Sequence, residues 1–147
     1  MSKTLIITHI VFCTKHRNRT LNPDHKRDLY NIIYNICKKN NCWVFRINGM
    51  TDHIHLLLDL SPTVALASLI KEIKVNTNKF LTNNPYFPNF ENWSVGYFAV
   101  SVSPQDKEKI VEYIVNQQVH HAKGDFLVEI ENLINENGMQ WYIDDWI

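Results

Sequence analysis

Apolar and polar positions alternate and recur along the chain in a way that divides it into short elements. From Thr4 to Thr14 β-branched and aromatic residues dominate, which predicts a first strand over about 4–14. A basic loop, KHRNR, follows at 15–19. Asn22 can cap a helix and Pro23 suits its first position. Leu29, Ile32, Ile33, Ile36 and Cys37 then recur at helical spacing, so this helix runs to about Asn40. A second strand is predicted over about 42–49, ending near Gly49. The turn Met50-Thr51-Asp52 leads into a third strand over about 53–60, and the two strands form a hairpin. Pro62 and Thr63 open a second helix over about 64–81. Its apolar face is Val64, Leu66, Ala67, Leu69, Ile70, Ile73, Phe80 and Leu81. Residues 82–92, with two prolines and four asparagines, read as a long loop. A fourth strand occupies about 94–102, and Ser103-Pro104 start a third helix over about 104–121. Asp125 begins a fourth, to about Asn137, before an aromatic tail, MQWYIDDWI.

The order β-α-β-β-α-β followed by helices predicts an α+β, ferredoxin-like antiparallel sheet with helices on one face plus C-terminal helices. In that arrangement two helices cover one sheet face and the other is left free for a ligand or partner. At 147 residues the chain is one domain, 1–147, with a motif-bearing core over about 4–121 and a C-terminal helix and tail over about 122–147.

Composition narrows the class without naming a chemistry. Hydrophobic residues make up 45% and charged residues 20%, as in a soluble globular domain, and no apolar run is long enough to span a bilayer. The N-terminal segment MSKTLII reads as a strand, with no leader signature. Three cysteines, Cys13, Cys37 and Cys42, form no C-x-x-C pair, which fits free thiols in a reducing cytoplasm. Net charge is zero, but it is unevenly spread. Residues 1–79 hold 12 Lys and Arg against 5 Asp and Glu, a balance of +7. Residues 80–147 hold 3 against 10, a balance of −7. A basic half is compatible with a phosphate-binding face, and equally with a solvated surface.

The third strand carries the first candidate chemistry. Alternate residues of a strand share a face, so Ile54, Leu56, Leu58 and Leu60 form an apolar side. His53, His55, Leu57 and Asp59 form the other, uncovered one. Two histidines on one face lie ~6.7 Å apart between Cα atoms and can lean onto one divalent ion. The same spacing also suits histidines that hydrogen-bond across a sheet or face solvent. On the third helix Ile110, Val111, Ile114 and Val115 form the predicted buried stripe. Tyr113 and Gln117, four residues apart, share another face, with Lys109 and His120 near the same side. A tyrosine aimed at a metal-bound phosphate can act as a nucleophile, and a glutamine oxygen can complete a metal site. A tyrosine on such a helix is more often a packing residue, and a glutamine more often solvated.

Together HIVFCTKHR, DHIHLLLDL, GYFAVSVSP and EYIVNQQVHH resemble the single-tyrosine HUH transposases of small bacterial insertion sequences, the IS-two-hundred-like group. The resemblance runs from about His9 to His121, and its most specific part is the His-hydrophobic-His strand followed by Y-x-x-x-Q on a late helix. It implies a ferredoxin-like fold, a homodimer and a divalent metal, Mg or Mn. It implies His53, His55 and Gln117 as metal ligands and Tyr113 as the nucleophile. The reaction implied is cleavage of single-stranded DNA with hairpin ends, through a 5′-phosphotyrosine that a later 3′-hydroxyl resolves. In some members the tyrosine helix completes the partner's site.

Beside that resemblance, Lys15, Arg17 and Arg19 after the first strand, and Lys71, Lys74 and Lys79 on the second helix, are candidates for holding phosphates. Trp93, Tyr97 and Phe98 could stack on bases, though core packing or a dimer contact is the commoner use. The competing reading is a non-catalytic, domesticated single-stranded DNA or hairpin-binding protein on the same fold. An intact His53, His55, Tyr113 and Gln117 favours the enzyme. Replication initiators and relaxases, the other HUH endonucleases, usually bring further domains.

Overall fold

The computed structural model describes residues 1–121, 125–140 and 142, of which His120 and His121 are described by backbone alone. Four strands, β1 (Ile7–Cys13), β2 (Trp43–Gly49), β3 (His53–Asp59) and β4 (Phe98–Ser101), form one sheet in the order β2-β3-β1-β4. Every pairing is antiparallel. Helices α1 (Lys26–Lys39) and α2 (Leu66–Leu81) complete the predicted βαββαβ unit. α3 (Lys107–Val115), α4 (Gln117–His121) and α5 (Phe126–Glu136) follow it.

α1 and α2 fold because each carries one apolar stripe with a polar remainder. Leu29, Ile33 and Ile36 of α1 and Leu69, Ile70 and Ile73 of α2 pack on Ile10, Phe12, Ile54, Leu56 and Leu58 of the sheet. Asn22 accepts a hydrogen bond from the Asp24 amide at 2.9 Å, so the predicted cap forms. It caps a short 3-10 turn, Pro23–His25, that leads into α1.

The second sheet face is covered, against expectation. Ile114 of α3 packs on Ile7 and Leu57. Phe126, Ile130, Leu133 and Ile134 of α5 pack on Val11, Cys13 and Phe98. Each such side chain contributes ~1.5–3 kcal/mol relative to leaving it in water. An amphipathic helix must bury its stripe somewhere, and the vacant sheet face is the apolar surface within reach. Asp125 starts α5 by accepting from the Val128 amide at 3.1 Å.

Three boundaries also differ. β4 begins at Phe98 rather than near 94, because Gly96 turns the chain away at φ +89°. The single helix expected over 104–121 breaks at Asn116 into α3 and α4 after a 3-10 turn at Pro104–Asp106. Val115 is 39% exposed and does not belong to the buried stripe. The predicted position of the His120 side chain, and most of the aromatic tail, lie outside the described residues.

Candidate active site

β3 carries the two histidines on the face that α3, α4 and α5 cover, and both are fully buried. The β2–β3 turn fixes where the strand begins. A Cβ on Gly49 would stand 2.1 Å from the His53 carbonyl oxygen, so only glycine allows the chain to approach so closely there. The Met50 amide then closes the turn on that same carbonyl at 3.1 Å.

Tyr113 and Gln117 reach the histidines from the other side, as their four-residue spacing allows. Gln117 is fully buried, not solvated, and its Oε1 lies 2.9 Å from His53 Nε2. The Tyr113 ring centre is 5.7 Å from that of His55. Asn48 holds this helical segment in place from β2. Its amide donates to the Ile114 and Val115 carbonyls at 2.9 and 3.3 Å, and to Gln118 Oε1 at 3.3 Å. The last turn of a helix leaves carbonyls without partners, and a buried asparagine satisfies two of them here.

The residue that sequence reasoning missed is Glu129 of α5. Its Oε1 lies 3.1 Å from both His53 Nε2 and His55 Nε2. Its Oε2 accepts from the Tyr113 hydroxyl and, at 3.0 Å, from Gln117 Nε2. Phe126, one turn earlier on α5, stacks on the His53 ring with centres 4.4 Å apart. One carboxylate therefore sits at the meeting point of all four predicted site residues.

Each histidine is also held by its second nitrogen. His53 Nδ1 lies 2.6 Å from Asp52 Oδ1, and His55 Nδ1 lies 2.9 Å from His9 Nε2. Such partners fix which nitrogen faces an ion and how the ring is turned. The electrostatics follow. Burial opposes a charge on His53, yet hydrogen bonds to the Asp52 and Glu129 carboxylates outweigh it and push its pKa up to about 9. Burial, with His55 as a neighbour, pushes His9 down to about 3. Burial and the Glu129 carboxylate raise the Tyr113 phenol well above its usual value.

The donor set suits a divalent ion. His53, His55 and Glu129 offer two imidazole nitrogens and a carboxylate oxygen, all within 4.8 Å of one another. Two histidines and one carboxylate are a mixed N/O set typical of Mn²⁺, Fe²⁺ or Zn²⁺, and the carboxylate and the Gln117 oxygen also suit Mg²⁺. A cavity of about 350 Å³ opens beside Tyr113 and His9, bordered by Ser101, Ser103, Lys109 and Glu136.

None of the basic candidates joins the histidine cluster, although the Lys15–Arg17 turn starts two residues after Cys13, the β1 partner of His53. Lys15 and Arg17 form a 3-10 turn directly after β1, and Lys15 and Arg19 are exposed. Lys71 is exposed on α2, which packs on the opposite sheet face. The Lys74 ammonium donates to the Ser94 and Gly96 carbonyls at 2.9 and 2.6 Å. Trp93 and Phe98 are core residues, 4% and 3% exposed, while Tyr97 is at the surface.

The chain is similar to known proteins in sequence and in fold. The profile of the family described as "Transposase IS200 like" matches residues 2–117. The transposase for insertion sequence element IS200 of Salmonella typhimurium is 27% identical over 124 residues, 81% of each chain. The ISDra2 transposase TnpA of Deinococcus radiodurans is 26% identical over 114 residues, 74% of this chain and 81% of that one. A solved REP-associated tyrosine transposase, bound to a REP hairpin, shares the fold. Its TM-score is 0.59 at 18% identity, over 82% of this chain and 74% of the other. α5, which brings Glu129, begins beyond the residues that the family profile matches.

Proposed function

Because the chain belongs to the IS200-like transposase family, we propose that it cuts and rejoins single-stranded DNA through a covalent bond between Tyr113 and a 5′ phosphate. The observation that carries this reading is the convergence of His53, His55, Gln117 and Tyr113 of one chain on a single, largely buried carboxylate. His53, His55 and Glu129, with Gln117 beside them, are the residues that would hold Mg²⁺ or Mn²⁺. The ion, when bound, would polarise the scissile phosphate and stabilise charge on its oxygens.

The chain's own residues supply the rest. The Tyr113 hydroxyl already donates to Glu129 Oε2, so the carboxylate stands where a general base must stand. The phenol proton passes to Glu129 as the phenolic oxygen bonds to phosphorus. The bond from phosphorus to the 3′ oxygen breaks, and that oxygen leaves as a 3′-hydroxyl on taking up a proton from solvent. In the reverse step another 3′-hydroxyl attacks and loses its proton to solvent, the bond from phosphorus to the phenolic oxygen breaks, and Tyr113 recovers its proton from Glu129. The phosphodiester energy is kept in the tyrosine ester, so joining needs no nucleotide cofactor. Helices α3, α4 and α5 exclude bulk water from the histidines, which strengthens each charge interaction there.

DNA hairpins are the proposed substrate ends, supported by the hairpin bound to the REP-associated relative. The proposed assembly is a homodimer, which light scattering on the purified protein checks. Among the described residues no helix is long and apolar enough to cross a membrane. The non-catalytic reading, a hairpin-binding protein on the same fold, has no missing site residue to support it.

Labelled oligonucleotides test the reaction. A 5′-phosphotyrosine keeps the downstream fragment on the protein. A 3′-end label must therefore move with the protein on a denaturing gel in Mn²⁺, and a 5′-end label must not. Transfer of the 5′ label instead would overturn the assigned polarity. Absence of any adduct on authentic element ends would leave only the binding reading.

A further inference from the structure

A second recess lies across the sheet from Tyr113. It is a groove of about 570 Å³ between α2 and the segment 92–97. Its floor is apolar, built on Ile70 and Trp93 of the α1–α2 core. Lys71, Lys74 and Lys79 border it along α2, and no carboxylate lines it among the described residues. Tyr97 and Val95 stand on its far rim, 37% and 95% exposed.

We propose that this groove takes an unpaired nucleobase of single-stranded DNA, with the phosphates on either side of it held by Lys71 and Lys79. This rests on the reading of the protein as a single-stranded DNA transposase and adds to it a contact remote from the chemistry. Three features carry it. The volume lies in the range of small-ligand sites, large enough for one nucleotide. An apolar floor with an exposed tyrosine on its rim offers a stacking face, which every base can use. Lysines on a lining that holds no carboxylate give the rim one sign of charge, as a phosphate backbone requires.

Lys74 plays a different part. Its ammonium is tied to the Ser94 and Gly96 carbonyls, and it shapes the rim by holding the 94–97 segment against α2. Gly96 allows this with φ +89°, a conformation that side chains resist. Asn92 links the groove to the site on the other face. Its carbonyl accepts from the Lys15 amide at 2.9 Å, and its side chain from Asn78 at 2.6 Å. Thr14, next to Lys15, donates through its amide to the Asp52 carbonyl at 2.9 Å, and Asp52 adjoins His53. The turn at Lys15–Arg17 thus adjoins both the groove segment and the residues that lead into β3.

The test uses the full chain and a fluorescein-labelled sixteen-residue oligothymidylate, followed by anisotropy over a range of salt. Removing one lysine from a phosphate should lower the slope of log affinity against log salt by about 0.7. Lys71→Ala with Lys79→Ala should therefore lower it by about 1.4 and weaken binding at low salt. Thermal unfolding should stay unchanged, because both side chains are exposed. The same oligonucleotide carrying 5-iododeoxyuridine should photocrosslink to Tyr97. A fully paired duplex of equal length should crosslink there much less. An unchanged slope in the double variant, or equal crosslinking of duplex, would overturn the groove. If wild type forms the tyrosine adduct while the groove results fail, only the groove is wrong. If the crosslink appears without any adduct, the groove stands and the catalytic reading falls.

Discussion

Glu129→Gln would keep the shape of the side chain and remove its charge. In the structure that carboxylate meets two imidazole nitrogens at 3.1 Å through Oε1. Through Oε2 it meets the Tyr113 hydroxyl and Gln117 Nε2. A glutamine oxygen can still accept from the tyrosine, but the site loses its only negatively charged donor among His53, His55 and Glu129. Removing a group that merely orients a metal ligand already costs 10–100-fold in affinity, on the order of 1–3 kcal/mol. Loss of the charged ligand itself should therefore weaken Mn²⁺ binding by about 100-fold or more. At saturating Mn²⁺ the loss of a base at the tyrosine should slow adduct formation by about 10²–10⁴. Titration calorimetry with Mn²⁺ reads the first effect, and single-turnover cleavage the second. Unchanged affinity would remove Glu129 from the ligand set. Faster adduct formation than wild type would show that the carboxylate is a stopper held in the site, not a participant.

In the metal-free protein, His53 and His9 should bend the pH dependence of stability in opposite directions. His53 has a folded pKa raised to about 9, so its contribution is full below its unfolded value and is lost as pH rises through 9, up to ~3 kcal/mol. His9, lowered to about 3, acts in the other direction and costs ~2 kcal/mol by pH 5, because the unfolded chain takes up a proton that the folded one refuses. Urea unfolding in EDTA across pH 5–9.5 measures both limbs, and a flat profile would contradict them. Asp52→Asn should flatten the alkaline limb alone. Ile130→Ala should cost ~2–5 kcal/mol, because its side chain is fully buried where α5 meets the sheet, and a change below 1 kcal/mol would mean that α5 is only loosely docked.

Much of the site is legible in the sequence. Period-two alternation puts His53 and His55 on one face of β3, and the four-residue spacing of Tyr113 and Gln117 puts them on one side of a helix. The cover over that sheet face is not given by the βαββαβ order, which accounts for two helices and leaves the one after Asp125 without a surface. Phe126, Ile130, Leu133 and Ile134 nevertheless recur at helical spacing, and that stripe is itself the signal of a cover. Glu129 lies beside the stripe, so the same signal could have named it as a residue delivered to the histidine face. His9 is harder to find. It shares the alternation of Ile7 and Val11, but its contact with His55 depends on register, which sets His9 opposite Leu57. Registers between strands distant in sequence are not written in either strand alone. The late start of β4 depends on Lys74 and Gly96, a tertiary contact that local propensity does not report.

The most direct measurement of the central claim is covalent capture of Tyr113. Wild-type protein incubated with 3′-labelled single-stranded element ends in Mn²⁺ should carry the label through denaturation. Peptide mapping should then place the phosphodiester on Tyr113. Tyr113→Phe should bind the same oligonucleotide and yield no adduct. A label that persists in Tyr113→Phe, or that maps to another residue, would contradict the account.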